Sequence, residues 1–310
     1  MPRNFNPENL PSPELTHEGI MLTSGRVRRA KEGREHRCED DILAFDSGDV
    51  VQAVYGVFDG VGGHFYGQEA AETAKKILKL YLEQHHRGTT KNISQRDPKK
   101  IGADLRDCLL EANDRLFRWG EKLQIEKAGP STTATVLMFT QSKEKGLVAV
   151  IAHVGDSRVY LFRGGKLECL TLDDNPLIKQ SANPKETQIQ LSNTHDHALL
   201  YRRNELSKAL GFGKYLEPQI LETLAQKGDL FLITTDGITD NLTDEEIERT
   251  LEEAFGTMAA PQEKDLDFKD LISSSAKLLY EKALEISRKN REEEARVHPD
   301  DMTAIIVKVE

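Results

Sequence analysis

Ala70, Ala74, Ile77, Leu78 and Tyr81 recur at steps of three and four, which predicts an amphipathic helix over residues 67–85. A second stripe, Leu105, Leu109, Ala112, Leu116 and Trp119, predicts another over about 101–123, after a polar, basic stretch at 87–100. Elsewhere the apolar positions form short runs. Those at 42–45 and 50–58 flank an Asp-Ser-Gly-Asp cluster, which predicts a hairpin. Runs at 132–140, 147–154, 158–163 and 167–171 follow too closely for crossover helices, so an antiparallel meander is predicted, with Gly164-Gly165 as its last turn. Residues 172–217 are mixed and polar, and predict a mobile excursion carrying short helices. Strands at 219–224 and 230–235 come next, then a helix to about Phe255 opened by the capping box of Thr243 and Glu246. A long helix near 271–291 and a strand at 303–309 complete the pattern. Residues 1–18 are polar, proline-rich and without period, and are expected to form a flexible tail. No repeat or linker divides 19–310, so the pattern predicts one domain of strands sandwiched with helices, an α+β layer architecture.

Composition narrows the partners. The 310 residues are 38% hydrophobic, enough for a sizeable core, and 42 Lys and Arg against 52 Asp and Glu give a net charge of −10. Such a field repels nucleic acid and anionic lipid, so neither is expected as a partner. No run approaches the ~18 apolar residues of a membrane helix, and the start, MPRNFNPENLPSPEL, has no apolar signal core. Cys38, Cys108 and Cys169 are far apart and odd in number, which suits a reducing compartment. A cytoplasmic protein is expected, and a monomer, because no apolar stripe is left unassigned.

The acids stand where chemistry can be built. Asp59 ends AVYGVF, Asp156 follows AVIAHVG, Asp236 ends LFLITT, and Asp300-Asp301 precede MTAIIVKV. Strand tips are rigid mounts, and carboxylates on adjacent tips converge. Without a cation they would not, since two charges 4 Å apart repel by about 4 kcal/mol at an effective dielectric of 20. Hard oxygen ligands imply Mg²⁺ or Mn²⁺ rather than zinc.

The ordered blocks VFDGVGGH, GPSTTATVL, HVGDSRVYLFRGGKL, RNELSKALG, LITTDGITDNL and HPDDMTAIIV resemble the signature blocks of the metal-dependent protein phosphatases, the type 2C serine/threonine family. The resemblance runs from about Gly19 to Val309. It implies a four-layer α-β-β-α sandwich of two antiparallel sheets flanked by helices. It also implies a binuclear Mg²⁺ or Mn²⁺ centre whose activated water attacks phosphoserine or phosphothreonine in a protein substrate. Carried over by position, Asp59 resembles the carboxylate bridging both cations, and the Gly60 carbonyl a ligand of the second. Asp236 and Asp300 resemble the remaining ligands of the first, Glu39 the acid of the second with Asp40 as its outer partner. Asp156 and Asp240, with Asp236, resemble a weaker third site. Residues 172–216 match the variable flap beside the centre.

The chain departs from the family in places. The usual phosphate-binding Arg, four residues before the metal Glu, is Glu35; Arg34 and Arg37 flank it, and either guanidinium fork suits a phosphate. Val61 replaces the His that animal members carry after the Asp-Gly pair, leaving His64 or solvent as general acid. Asp301 stands where the family usually has Asn. His195 and His197 form an HxH pair with no third nitrogen or sulfur nearby, and zinc is set aside. Ser157 near His153 lacks a GxSxG elbow, and a triad is rejected. Two rival readings remain at this point: a catalytically impaired phosphoprotein-binding module, and a phosphohydrolase for small molecules or phosphotyrosine.

Overall fold

Strand pairing, not helix packing, sets the frame that carries the acids. The computed structural model describes residues 15–18, 38–45, 53–61, 66–86, 97–125, 129–142, 144–255, 268–292 and 294–309. The strands are β1 (Leu15–Glu18), β2 (Asp40–Phe45), β3 (Val54–Asp59), β4 (Ala134–Ser142), β5 (Gly146–Val154), β6 (Arg158–Arg163), β7 (Lys166–Cys169), β8 (Gln219–Leu224), β9 (Leu230–Thr234) and β10 (Ala304–Val309). The helices are α1 (Gly67–His86), α2 (Pro98–Lys122), α3 (Pro176–Gln180), α4 (Pro184–Asn193), α5 (His197–Arg203), α6 (Asp236–Thr239), α7 (Asp244–Phe255) and α8 (Phe268–Ser287).

One antiparallel sheet has the order β2-β3-β4-β5-β8, the other β1-β10-β9-β6-β7. Their facing surfaces bury Tyr55, Leu137, Phe139 and Ile151 from the first against Val159, Phe231, Ile233 and Ile305 from the second. Phe139 bridges the gap, edge-on to Phe231 at 5.2 Å and to Tyr55 at 6.4 Å between centroids, the geometry ring quadrupoles favour. Alternate residues point outward. Val136, Met138, Val150 and Ala152 meet the apolar stripes of α1 and α2, while Tyr160, Leu232 and Ile306 meet α7 and α8. The result is the four-layer α-β-β-α sandwich.

Three sequence expectations are corrected. Leu15–Glu18 pair with β10 rather than trailing as part of a flexible tail, because the open edge of β10 offers a ladder that four residues suffice to fill. The meander splits: β4 pairs with β5 and β6 with β7, but β5 and β6 lie in different sheets. The turn Gly155-Asp156-Ser157 therefore carries the chain across the sandwich. Finally, α2 starts at Pro98 rather than near residue 101, since Asp97 caps it by accepting from the Lys99 backbone N–H at 3.0 Å and proline suits the first turn. The Thr243–Glu246 capping box forms as expected, with both backbone bonds made. The segment expected to be an excursion carries α3, α4 and α5. No helix among the described residues is long and apolar enough to cross a membrane.

Candidate active site

Both sheets deliver acids to the same end of the sandwich. Asp40 and Asp59 are register partners in β2 and β3. The Asp59 backbone is clamped from below: its N–H donates to Thr133 Oγ1 at 3.0 Å, and its carbonyl accepts from Thr132 Oγ1 at 2.8 Å. Asp236 follows β9 and opens α6, Asp300 precedes β10, and Asp156 sits in the turn that crosses between sheets. Asp40 ties the sheets together. Its Oδ2 accepts from Thr235 at 2.9 Å and Thr303 at 2.6 Å, both in the other sheet's tips. Asp301 makes a second tie, its Oδ2 accepting from the Glu39 backbone N–H at 2.9 Å.

Two glycines bring backbones close enough to complete the site. A Cβ on Gly67, the first residue of α1, would stand 3.2 Å from both the Glu39 carboxyl carbon and the Gly60 carbonyl carbon, so those two oxygen donors are neighbours. A Cβ on Gly237 would run into the Asp301 carbonyl, so only glycine lets Asp236 and Asp300 approach. Gly237→Ala is therefore expected to push the Asp300 segment away and weaken Mn²⁺ binding about 10- to 100-fold with little change in far-UV circular dichroism, measured by titration calorimetry.

The electrostatics record this crowding. Burial, and then Asp236, Asp40, Asp300 and Asp156, raise the Asp59 carboxyl well above the usual range. Asp156 is raised by burial and by Asp236, Asp173 and Asp240. Asp236 is pushed up to about 7 by burial, Asp240 and Asp300, relieved in part by His298 and Asp59. Asp40 Oδ1 and Asp236 Oδ1 are buried without a hydrogen-bond partner. Mutually repelling carboxylates with orphaned oxygens fit hard divalent cations. Among the described residues no three acidic, histidine or cysteine side chains already stand as a finished cage, as expected of like charges that only a cation can draw together.

Asp240 behaves differently from the role the resemblance gives it. Its Oδ1 lies 2.6 Å from Arg203 Nη2 of α5, and its Oδ2 3.2 Å from His298 Nδ1. Against the upward pull of burial, Arg203, His298 and Arg296 hold its carboxyl below the usual range. Asp240 thus anchors the segment 172–216 to the acidic centre, with its own charge already compensated. Further contacts, none read from the sequence, fasten or brace the same segment. Asp174 accepts from the Gly155 backbone N–H at 3.0 Å and pairs with Lys208 at 2.7 Å. Buried Arg158 donates to Asp173 at 2.6 Å, Ser192 at 2.8 Å and Tyr160 at 2.9 Å. Tyr160 in turn donates to Asp244 at 2.7 Å.

Ser157 Oγ is held by Thr133 at 2.9 Å and His153 Nδ1 by Thr135 at 2.8 Å, so both serve the scaffold, as their rejection as a triad requires. His195 and His197 are exposed at the start of α5. Arg34, Glu35, Arg37, Gly62, Gly63 and His64, and most of the basic stretch 87–100, lie outside the described residues.

The protein phosphatase 2C family pattern matches residues 29–271. The chain belongs to that family. This type 2C phosphatase is 29% identical over 235 residues to the serine/threonine phosphatase stp of Listeria monocytogenes, covering 76% of this chain and 82% of that protein. In fold it is similar to PppA of Pseudomonas aeruginosa, with a TM-score of 0.63 at 21% identity over 97% of this chain and 99% of that one. It is equally similar to the catalytic domain of the phosphatase PstP in complex with two manganese ions, with a TM-score of 0.61 at 22% identity, covering 96% and 99%. At those identities the two solved structures speak for the fold, and the family match makes this a phosphoprotein phosphatase of the serine/threonine class.

Proposed function

We propose that the protein removes phosphate from phosphoserine and phosphothreonine in protein substrates at a pair of divalent cations, Mg²⁺ or Mn²⁺. The observation that carries this reading is the convergence of buried, mutually repelling acids from both sheets, with orphaned oxygens at Asp40 and Asp236. Asp59 would bridge the cations, Asp236 and Asp300 complete the first, Glu39 and the Gly60 carbonyl hold the second, and Asp156 with Asp236 offers a weaker third position. The manganese pair in the PstP structure supports the same assignment. Bound there, the cations would neutralise phosphoryl oxygens and supply a water acidic enough to attack at neutral pH.

The chain's own residues do the positioning. Asp40 and Asp301 fix the distance between the sheets' tips. Thr132 and Thr133 fix Asp59. Arg34 or Arg37 would take the phosphate, and His64 or solvent would protonate the leaving alkoxide. The Cys38 thiol, beside the acids, is pushed up to about 12 by burial and by Asp301 and Asp40, which disfavours the thiolate that a cysteine nucleophile needs.

The test is phosphate release from a phosphothreonine peptide with Mn²⁺ and with EDTA. Turnover that requires the cation is expected. Cation binding without turnover would overturn the assignment in favour of a phosphoprotein-binding module or a small-molecule phosphohydrolase.

A further inference from the structure

A cavity of about 460 Å³ opens between α5 and the segment 291–298. Its walls carry Arg203, Arg291, Arg296, His298 and Tyr201, with Glu205 as the one carboxylate among the lining residues. That balance is opposite to the chain's net charge of −10. It is also opposite to a second cavity beside α4 and α7, which Glu168, Asp244, Glu245 and Glu248 line against Lys185.

Among the described residues, two of the three guanidinium groups spend their hydrogen bonds on carbonyl oxygens. Arg296 is buried at 2% exposure and donates to the carbonyls of Thr194, Thr239 and Leu242. Its Nε is buried with no partner at all. Arg291 is exposed and donates through Nε to the Val297 carbonyl. Among the described residues Arg203 alone of the three is ion-paired, with Asp240, while Asp240 and Glu246 offset part of the Arg296 charge from further off. Carbonyl dipoles satisfy hydrogen-bond geometry but leave a formal positive charge, and burying such charge without an anion is unfavourable. Consistent with that, burial and then the Arg203 charge pull Arg296 down to about 9. Tyr201, 81% exposed, adds an amphipathic ring of the kind that peptide-binding surfaces favour.

The cavity adjoins the acidic centre through the Asp240–His298 contact. Asp236 and Asp240 are one helical turn apart, and Arg203 lies beyond Asp240, so the cavity is about 10 Å from the centre, or about three residues of extended peptide. We propose that this cavity is a subsite for an acidic side chain of the substrate, carried within about four residues of the phosphorylated one. The proposal rests on the phosphatase reading and adds a sequence preference to it. The carboxylate enters beside Arg291 and Arg296, Tyr201 covers the peptide backbone, and three guanidinium groups that share the single Asp240 carboxylate gain a second anion.

The experiment compares kcat/KM on phosphothreonine peptides that differ only in bearing Asp, Asn or Lys at each of the four positions on either side. Each rate is divided by that for p-nitrophenyl phosphate, which carries no peptide. Asp at one or two positions is expected to raise the ratio about tenfold over Asn, mainly through KM, and Lys to lower it, with the spread shrinking in high salt. Exposed Arg291→Glu should bring Asp and Asn within about twofold. Equal rates on all three peptides, or an Asp preference that survives Arg291→Glu, would overturn the subsite. So would a change in inhibition by inorganic phosphate under Arg291→Glu with no change in peptide preference, which would assign the cavity to free phosphate. If no phosphorylated compound is hydrolysed, the phosphatase reading fails separately. The subsite is then judged by fluorescence anisotropy of the labelled Asp and Asn peptides, where tighter binding of the Asp peptide, lost in Arg291→Glu, upholds it and equal binding overturns it.

Discussion

Asp236→Asn is expected to abolish phosphate release while stabilising the cation-free protein. Its carboxyl is pushed up to about 7 by burial, Asp240 and Asp300. The folded chain therefore binds that proton more tightly than the unfolded chain, whose group titrates near 4. The corresponding stability is fully present below about pH 4 and is lost as pH rises to about 7, a change on the order of 4 kcal/mol for this group. At pH 7.5 the cation-free wild type carries that penalty in full, and asparagine removes it. Melted in EDTA at pH 7.5, the variant should exceed the wild type by several degrees, and the gap should close toward pH 4.5. Added Mn²⁺ should reverse the order, because the wild type gains binding energy that the variant has lost. Loss of this carboxylate should lower kcat by about three orders of magnitude or more, since in the proposed centre it would both hold a cation and neutralise its charge. A variant that melts below the wild type in EDTA at pH 7.5 would show that the acids do not repel one another as described.

The second large effect concerns stability alone. Arg158 is 2% exposed, donates to Asp173 through Nε at 2.9 Å and Nη2 at 2.6 Å, and reaches Tyr160 and Ser192 as well. Burial opposes its charge, yet Asp173 raises its affinity for the proton well above the ordinary value. Arg158→Met would leave the Asp173 carboxylate buried and uncompensated, a loss of about 3–5 kcal/mol. Removing both charges, as Arg158→Met with Asp173→Leu, should be less damaging than the two single changes added together, by about 2 kcal/mol. Urea unfolding of the four proteins reads this directly. Additive losses, or a single change below about 1 kcal/mol, would mean that the pair does not anchor the segment that follows β7.

Much of this was legible in the chain. The apolar runs marked nine of the ten strands because most are buried on both faces, so their composition is dense enough to see. The acids were legible because each stands at a strand tip, a place where sequence position and spatial position coincide. What escaped had non-local causes. Nothing in 147–163 says that β5 and β6 belong to different sheets, since that depends on partners 66 to 76 residues away, in β8 and β9. β1 is four residues long, too short for a period to declare itself. The Asp240–Arg203 pair joins residues 37 apart, so no local pattern announces it. Thr132, Thr133, Thr235 and Thr303 passed as ordinary strand residues, although their hydroxyls hold Asp59 and Asp40 in place.

The interleaving of the two sheets bears on how the protein comes into being. β2 to β5 belong to one sheet, β6 and β7 to the other, β8 to the first again, and β9 and β10 to the second. A ribosome thus delivers Asp59 and Asp156 long before Asp300, which arrives just ahead of β10. Until β10 docks between β1 and β9, the nascent chain lacks a placed Asp300 and has an open sheet. Catalytic competence therefore waits for β10, so a chain truncated before that strand is expected to be silent and not merely weak.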